Sequence, residues 1–336
     1  MAMLISSWSK DVQSLPEPYI LPPSKRPGEL IVPATQGPLI DLNHDRSETI
    51  RKFLEAGKEF GFFQVINHGV SESLMEEAIG TVKEFFEMTG EMKESSFTAD
   101  SSKRCRLYTS SLVYENEKFH YWRDNLTHPC HPLEDCQQLW PKSPTKYREV
   151  VGKYTVEARK LIVSILDLIE EGLGLEDGYF GEELSRVELL SANHYPRCPE
   201  PSLTMGMASH CDPNLLTLLL QGDQHGLQVF KDGQWIGVEP HPHAFVVILG
   251  CQLQIISNEK LKSAEHRVVT SSEEARTTVG YFIIPSYECL VEPAGALLDV
   301  SNPPLYKPVQ YKQFLASYDG KNGEYQAVMN CYKLQL

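Results

Sequence analysis

The chain lacks any run of basic residues. Its 31 lysines and arginines are outnumbered by 45 aspartates and glutamates, which gives a formal net charge of −14 at pH 7 and a pI of about 5.3. Binding to nucleic-acid phosphates or to an anionic membrane requires clustered lysine and arginine side chains. We therefore expect neither nucleic acid nor a membrane as a partner.

Long apolar segments and paired cysteine motifs are also missing. No segment approaches the roughly 20 apolar residues that a membrane-spanning helix needs, and the apolar run after Met1 is too short for a signal peptide. The eight cysteines are scattered and form no Cys-x-x-Cys pair. Because a chain of 336 residues can bury a large core without disulfides, we expect reduced thiols and a cytoplasmic location.

The chain contains no internal repeats or low-complexity tracts, so its organisation follows from the order of its local patterns. Residues 1–37 are rich in proline and are predicted to form an extended arm. Residues 38–180 are predicted to form a helical region, and residues 181–300 a β domain that carries the functional site. Residues 301–336 are predicted to cover that site.

The helical region shows periodic apolar residues and candidate start signals. Ser47 is predicted to cap a helix that reaches Phe60, and Ser73–Glu76 resembles a capping box for a helix that reaches Phe86. The longest periodic segment runs from Pro144 to Gly172, with Gly172 and Gly174 as its end. Residues 95–142 are irregular and aromatic-rich.

The β domain consists of short apolar runs separated by turns. Lys231-Asp232-Gly233-Gln234 indicates a hairpin between two of these runs. Many short, evenly spaced strands predict an α+β protein with a double-stranded β-helix (jelly-roll) core, around which the helical region packs. The strands are predicted at residues 38–42, 62–66, 215–221, 227–230, 235–238, 244–249, 266–270 and 277–285.

His210, Asp212 and His266 are the candidate metal ligands. Side chains two positions apart on a strand point to the same side, so His210 and Asp212 can face inward while Cys211 points away. Two imidazoles and one carboxylate hold Fe(II) on one face and leave the opposite coordination positions open for chemistry. A third ligand from a distant strand would complete the site.

Several of the remaining histidines are weaker metal candidates, because the chain contains eleven histidines in all. His241 and His243 flank a proline and are interpreted as a turn. His225, before a glycine, is interpreted as a loop residue. His128 and His131 are alternative candidates for a zinc site, although no fourth ligand is obvious.

The residues around the candidate ligands carry a specific resemblance. Asn193-His194-Tyr195-Pro196-Arg197-Cys198-Pro199 precedes His210-Cys211-Asp212, while Ser263-Ala264-Glu265-His266-Arg267-Val268 and Arg276-Thr277-Thr278 follow it. With Gly226-Leu227-Gln228-Val229, these segments resemble the plant 2-oxoglutarate- and Fe(II)-dependent dioxygenases over about residues 38–315. The segments from Tyr121 to Val151 and from Asn302 to Pro308 are most similar to the hyoscyamine 6β-hydroxylase-like group.

The resemblance implies roles for the site residues. Fe(II) is expected on His210, Asp212 and His266, and the far carboxylate of 2-oxoglutarate on the two-pronged guanidinium of Arg276. Thr278 stands where the family usually has serine, and its added methyl group is expected to change the fit slightly. Tyr195 is expected to reach the cosubstrate.

Five further positions are assigned roles around the site. Asn193 is assigned with the cosubstrate residues and is expected to brace the site. Phe282, six residues after Arg276, and Tyr121 are candidate substrate contacts, although a core role for Phe282 is equally compatible with the pattern. Cys211 and Cys251 are interpreted as structural.

The implied reaction is hydroxylation of an unactivated C–H bond of a small plant specialised metabolite, with an alkaloid as the leading substrate class. It would consume O2 and convert 2-oxoglutarate to succinate and CO2, with ascorbate as a reductant. Dealkylation, epoxidation or desaturation of a phenolic or hormone substrate stays open. So do a non-catalytic, metal-bound binding protein and a zinc hydrolase. No exposed apolar stripe is evident, so a monomer is expected.

Overall fold

The computed structural model describes residues 3–28, 34–35, 37–89, 93, 98, 100, 102–181, 183–321 and 324–335, with only the backbone at 34–35. The helices are α1 Ile5–Trp8, α2 Arg46–Glu59, α3 Glu72–Glu87, α4 Leu133–Cys136, α5 Tyr147–Leu173, α6 Cys251–Ile256, α7 Tyr311–Gly320 and α8 Tyr325–Met329. The strands are β1 Ala34–Thr35, β2 Leu39–Asp41, β3 Phe62–Ile66, β4 Arg106–Thr109, β5 Asp124–Pro129, β6 Val187–Tyr195, β7 Met207–His210, β8 Leu216–Leu220, β9 Leu227–Lys231, β10 Gln234–Val238, β11 Phe245–Leu249, β12 His266–Val268, β13 Arg276–Ile284, β14 Leu290–Val291 and β15 Val309–Gln310.

Two facing sheets form the predicted jelly roll. The larger sheet has eight strands in the order β2-β3-β11-β8-β13-β6-β5-β4, and the smaller has five in the order β1-β10-β9-β12-β7. Phe62, Val246 and Ile248 of the large sheet pack against Leu227 and Val229 of the small one. Burial of these apolar side chains stabilises the contact between the two sheets.

The outer face of the large sheet is covered by helices, as predicted. The side chains of Phe63, Leu218 and Tyr281 join the main core together with those of α5. α5 packs on α2 and α3 and also reaches β8 and β13. It ends at Gly174, whose φ of 71° is the left-handed conformation that glycine adopts without strain.

Two predicted helix starts are wrong. The side chain of Asp45, rather than that of Ser47, caps α2 by accepting a hydrogen bond from the backbone of Glu48. α3 begins after Ser71, whose hydroxyl contacts that of Ser73 and caps no backbone amide. Serine and aspartate are both good caps, so residue type does not decide between Asp45 and Ser47 or between Ser71 and Ser73.

The region between residues 38 and 180 contributes strands as well as helices. The strands β4 and β5, at Arg106–Thr109 and Asp124–Pro129, lie in a segment that was predicted to be irregular. Together with the predicted β2 and β3, they supply four of the eight strands of the large sheet. The large sheet therefore combines strands from both sides of residue 180. The domain boundaries proposed at residues 180 and 300 stay a prediction.

The amino-terminal arm is less extended than its prolines predicted. It contains α1 and three short 3-10 turns, since proline is well tolerated at the first position of a helical turn. The buried carboxylate of Asp124 accepts hydrogen bonds from the backbone amides of Ile5 and Ser6, at 2.9 and 2.8 Å. Residues 1–2, 29–33 and 36 of the predicted arm lie outside the described residues.

The predicted hairpin at Lys231–Gln234 is confirmed. Lys231 pairs with Gln234, and Asp232 and Gly233 between them have φ values of 50° and 81°. None of the helices in the described part of the chain is long and apolar enough to cross a membrane. All eight cysteines are free thiols.

Two buried histidines make the fold sensitive to acid. Burial lowers the pKa of His128 to about 4, and burial with nearby lysines lowers the pKa of His194 to about 3. Unfolded histidine titrates near 6.5, so between about pH 6.5 and 4 the unfolded chain binds protons that the folded chain does not. The free energy of unfolding therefore falls as the pH decreases through this window.

We expect His128→Gln to remove part of this pH dependence. The variant does not titrate, while its amide can still contact the Tyr147 hydroxyl that lies 2.9 Å from His128 Nε2. Between pH 6.5 and 5, wild type should lose about 2 kcal/mol more stability than the variant, as measured by urea denaturation. An equal loss in both proteins would contradict the assignment.

Candidate active site

The three predicted metal ligands meet between the two sheets. His210 ends β7, His266 begins β12, and the two residues are direct partners in the antiparallel pairing of these strands. Asp212 Oδ1 lies 3.6 Å from His210 Nε2 and 3.8 Å from His266 Nε2. One ligand atom from each residue lies within 4.8 Å of the others, a spacing that allows all three to share one metal ion.

Backbone carbonyl groups set the orientation of both imidazoles. His210 Nδ1 lies 2.9 Å from the carbonyl oxygen of Ala208, and His266 Nδ1 lies 2.9 Å from that of Ala264. A carbonyl only accepts, so each Nδ1 carries the proton and each Nε2 has a free lone pair toward the centre. This is the usual arrangement of a metal-binding histidine.

The charges at the site also suit a divalent cation. Burial opposes ionisation of Asp212, but the neighbouring imidazoles and the Thr217 hydroxyl outweigh it and lower the pKa of Asp212 to about 2. Burial and His210 lower the pKa of His266 to about 4. At neutral pH Asp212 is therefore ionised and His266 is neutral, as metal ligands must be.

Thr217 holds the carboxylate of Asp212 in place. Its hydroxyl donates to Asp212 Oδ2 at 2.6 Å, which leaves Oδ1 for the two imidazoles. Asn214 Nδ2 donates to Thr217 Oγ1 at 3.0 Å and so directs the hydroxyl proton toward Asp212. All three side chains are buried, and this hydrogen-bonded chain fixes the carboxylate without using its ligand oxygen.

Thr217→Val should weaken metal binding without changing any ligand. Valine matches the shape of threonine but cannot donate to Asp212, and loss of such a supporting hydrogen bond typically reduces metal affinity about 10- to 100-fold. Anaerobic calorimetric titration with Fe(II) or Mn(II) measures the effect. Thr217→Ser keeps the hydroxyl and should bind metal like wild type, whereas equal affinities in all three proteins would contradict this role.

Arg276 is the predicted cosubstrate residue, and it is 4% exposed at the start of β13. Its Nε donates to the backbone carbonyl of Gln224 at 3.1 Å, and its Nη2 lies 3.4 Å from Gln221 Oε1. Among the described residues, no carboxylate oxygen lies within 4.0 Å of this guanidinium. A buried cation without a counter-ion is costly, so the site fits a ligand that supplies a carboxylate.

The residues around Arg276 complete this pocket. Tyr195 is its direct partner on β6, and the Arg276 Cζ atom lies 5.5 Å from the centre of the Tyr195 ring. The Nε2 atom of Gln221 is buried and has no partner among the residues that the structure covers, so it is a second donor available to an anion. Gly226 has a φ of 148°, and a Cβ there would lie 3.0 Å from Arg276 Cδ.

Thr278 and Asn193 lie opposite each other on β13 and β6. Both face the same side of the sheet as Arg276, since positions two apart on a strand share a face. Asn193 Oδ1 accepts hydrogen bonds from Asn125 Nδ2 at 2.8 Å and from Arg123 Nη1 at 3.2 Å. This supports the expectation that Asn193 braces the site, and the roles of both residues toward the cosubstrate stay predictions.

The two predicted substrate contacts lie in different places. Phe282 is half-buried on the inner face, opposite Thr217, whose hydroxyl contacts Asp212. Tyr121 lines a cavity of about 470 Å³ with Ala208 and Arg267, beside the edge strand β7. Phe282 is therefore on the metal side of the sheet, Tyr121 is at the rim, and contact of either with substrate stays a prediction.

The competing histidines occupy other environments. His243 has a φ of 56° in a turn, and its Nε2 lies 3.7–3.8 Å from Glu72 and Glu76. His128 is buried and bonded to Tyr147. Within the part of the chain that the structure describes, only His210, Asp212 and His266 form a group that could hold a metal ion.

Sequence reasoning missed three residues that support the site. Thr217 lies in an apolar run that was interpreted as a core strand, and Gln221 lies at its end. Arg123 was noted only as part of a motif, yet its guanidinium reaches Asn193. The one available signal was a threonine with leucines on either side, a polar residue in an otherwise apolar strand.

Comparison with known proteins places these residues in a family context. A model of the 2OG-Fe(II) oxygenase superfamily matches residues 186–285, which include all three candidate ligands and Arg276. A model described as the N-terminal region of non-haem dioxygenases in morphine synthesis matches residues 38–144. Together the two models cover most of the predicted helical region and nearly all of the β domain.

Individual relatives match over almost the whole chain. Hyoscyamine 6-dioxygenase of Hyoscyamus niger is 43% identical and covers 100% of both chains. 2′-Deoxymugineic-acid 2′-dioxygenase of Hordeum vulgare is 42% identical and covers 91% of this chain and 90% of its own. The crystal structure of JOX2 in complex with 2OG, Fe and JA has a TM-score of 0.83 and 35% identity, and covers 94% of this chain and 93% of that one.

Proposed function

We propose that this chain, which belongs to the 2OG-Fe(II) oxygenase superfamily, hydroxylates a C–H bond of a small plant specialised metabolite. Membership of the family makes the protein an oxidoreductase that uses Fe(II) and 2-oxoglutarate. The single observation that carries the proposal is the His210–Asp212–His266 cluster beside a buried arginine without a counter-ion. An alkaloid is the leading substrate class, supported by the 43% identity to hyoscyamine 6-dioxygenase.

The residues of this chain have separate roles in the proposed mechanism. His210, Asp212 and His266 would hold the iron from one side, and Thr217 would fix the carboxylate among them. Arg276 would orient 2-oxoglutarate by its far carboxylate through a charge-assisted, two-pronged contact. When bound, iron and 2-oxoglutarate together supply the oxidation, in which O2 is consumed and succinate, CO2 and an oxidised product form.

The walls of the site exclude water from the reaction. Asp212, His266 and Arg276 are buried, and the Tyr318 hydroxyl of α7 donates to the carbonyl oxygen of Cys211, between two of the ligands, at 2.8 Å. α7 therefore closes the back of the metal site. A dry, preorganised site strengthens the electrostatic contacts to the cosubstrate and limits side reactions.

Release of labelled CO2 from carboxyl-labelled 2-oxoglutarate tests the proposed function. We expect release with Fe(II) and none with Zn(II), because zinc has no redox chemistry. A substrate should stimulate release and gain one oxygen atom in a mass measurement. Hydrolysis of a test ester with Zn(II), or no CO2 release with Fe(II), would contradict the proposal.

The cellular compartment, the route of substrate entry and the oligomeric state of the protein are also proposals. Eight free thiols, several of them fully buried, support a reducing compartment such as the cytoplasm. A small-molecule substrate would enter the gap between the two sheets. A monomeric state stays a prediction, which sedimentation analysis would test.

A further inference from the structure

The inner face of the large sheet has an apolar half and a polar half. Phe62, Val246, Ile248 and Leu219 face inward from β3, β11 and β8. Across β13, β6, β5 and β4 the strand pairing places mostly polar side chains on the same face. These inward residues are Arg276, Thr278, Tyr195, Asn193, Ser191, Asn125, Thr127, Tyr108 and Arg106.

Arg123 extends one row of this polar half. Arg276 pairs with Tyr195, and Asp124 pairs with His194, so Arg123 lies beside Tyr195 on its other side. Neighbouring strands are about 4.8 Å apart, which separates the backbones of the two arginines by roughly 10 Å. The Tyr195 ring therefore stands between two guanidinium groups on the same wall.

Among the residues that the structure describes, no carboxylate lies within 4.0 Å of the Arg123 guanidinium. Its Nη2 and Nε donate to the carbonyl oxygen of Ser110 at 2.9 and 3.3 Å, and its Nη1 donates to Asn193 Oδ1 at 3.2 Å. These acceptors are neutral and use three of its five N–H donors, and the Tyr195 side chain also lies close to this guanidinium. The nearby carboxylate of Glu117 instead contacts the Ser110 hydroxyl at 2.6 Å and His120 Nδ1 at 3.0 Å.

Two polar atoms beside this row also lack partners within the described part of the chain. Asn125 donates through Nδ2 to Ser191 Oγ at 2.7 Å and to Asn193 Oδ1, but its own Oδ1 is buried without a partner. Arg106 Nε is buried and equally unpartnered. An unsatisfied buried polar group is destabilising, so this wall is suited to a polar ligand rather than to apolar packing.

We propose that Arg123 binds a carboxylate of the primary substrate, beside the 2-oxoglutarate held at Arg276. The inference rests on the proposed function and narrows it to substrates that carry an acidic group, with or without an amine. The N–H donors of Arg123 that do not contact Ser110 or Asn193 would contact the substrate carboxylate, and Asn125 Oδ1 would accept from a substrate hydroxyl or N–H. A purely cationic alkaloid would leave Arg123 unpaired and would be disfavoured by its charge.

Fractionation of a plant metabolite extract by ion exchange tests the sign of the substrate charge. Labelled CO2 release by the wild-type holoenzyme is first measured without extract, so that failure of the proposed function is seen separately. We expect stimulation by the fraction that an anion exchanger retains, and a loss of at least tenfold after its carboxylates are converted to methyl esters. Stimulation only by cationic or neutral fractions, or by no fraction, would overturn the inference.

Substitution of Arg123 and Arg276 tests which of the two arginines binds the carboxylate of the substrate. With the stimulating compound purified, Arg123→Gln should raise its KM at least about tenfold and leave the KM for 2-oxoglutarate within about twofold. Arg276→Gln should show the reverse pattern, and Arg123→Lys should lie between wild type and Arg123→Gln. If Arg123→Gln changes only the KM for 2-oxoglutarate, or neither KM in a protein with wild-type thermal stability, Arg123 does not bind the substrate.

Discussion

Asp212→Asn should abolish 2-oxoglutarate turnover while leaving the fold intact. The amide keeps the shape of the side chain and can still accept from the Thr217 hydroxyl, but it loses the negative charge between the two imidazoles. Loss of a buried charged partner costs about 3–5 kcal/mol, and every 1.36 kcal/mol is a tenfold change. We therefore expect a loss of roughly a thousandfold in labelled CO2 release at a fixed Fe(II) concentration.

A histidine outside the site supplies the matched control. His225 is largely exposed and its Nε2 lies 3.6 Å from Glu239, so His225→Ala should turn over 2-oxoglutarate like wild type. His266→Ala should match Asp212→Asn, because it removes another of the three ligands. Retention of more than a tenth of the wild-type rate in Asp212→Asn, with a normal thermal midpoint, would exclude this carboxylate as an essential ligand.

Arg276→Gln should raise the KM for 2-oxoglutarate about 30- to 3,000-fold. Truncating one partner of a buried charge pair costs about 2–5 kcal/mol, and 1.4 kcal/mol corresponds to a tenfold change in affinity. Glutamine retains a donor but has neither the charge nor the two-pronged geometry. Initial rates over a range of 2-oxoglutarate concentrations, at saturating Fe(II), measure the change.

The other arginine variants separate charge from geometry. Arg276→Lys keeps the charge and loses the fork, so its KM should fall between those of wild type and Arg276→Gln. Arg186 forms an exposed ion pair with Glu183, and Arg186→Gln should leave the KM unchanged. An unchanged KM in Arg276→Gln would mean that 2-oxoglutarate is held elsewhere.

The architecture of the metal site was only partly predictable from sequence. Alternation on a strand predicted His210 and Asp212 on one side, and both do contribute to the site, but β7 ends at His210 and Asp212 lies in the turn that follows. The direct pairing of His210 with His266 depends on how β7 and β12 align, 56 residues apart along the chain. No local pattern encodes such a pairing, so the third ligand was assigned through the family resemblance.

The strands β4 and β5 were missed because they carry polar side chains on their inward face. A strand is recognised by alternating or continuous apolar residues. Asn125 and Thr127 of β5 instead face the space between the two sheets, and Leu126 and His128 face the helices. The polar side chains on the inner face of β4 and β5 interrupt the apolar pattern from which the other strands were predicted.

The residues that support the metal site were missed because they lie in apolar segments. Thr217 lies in the run Leu215–Leu220, whose leucines predict only a buried strand. Its hydrogen bond to Asp212 depends on the turn between β7 and β8, which Asn214 braces by donating to the carbonyl oxygen of Leu216 at 2.9 Å. Such contacts follow from the folded geometry rather than from residue spacing.

Anomalous diffraction from crystals equilibrated with Fe(II) and 2-oxoglutarate without oxygen tests the central claim most directly. We predict one iron peak within bonding distance of His210 Nε2, Asp212 Oδ1 and His266 Nε2. The far carboxylate of 2-oxoglutarate should contact the Arg276 guanidinium. Iron bound away from these three atoms, or a cosubstrate whose far carboxylate does not reach Arg276, would contradict the account.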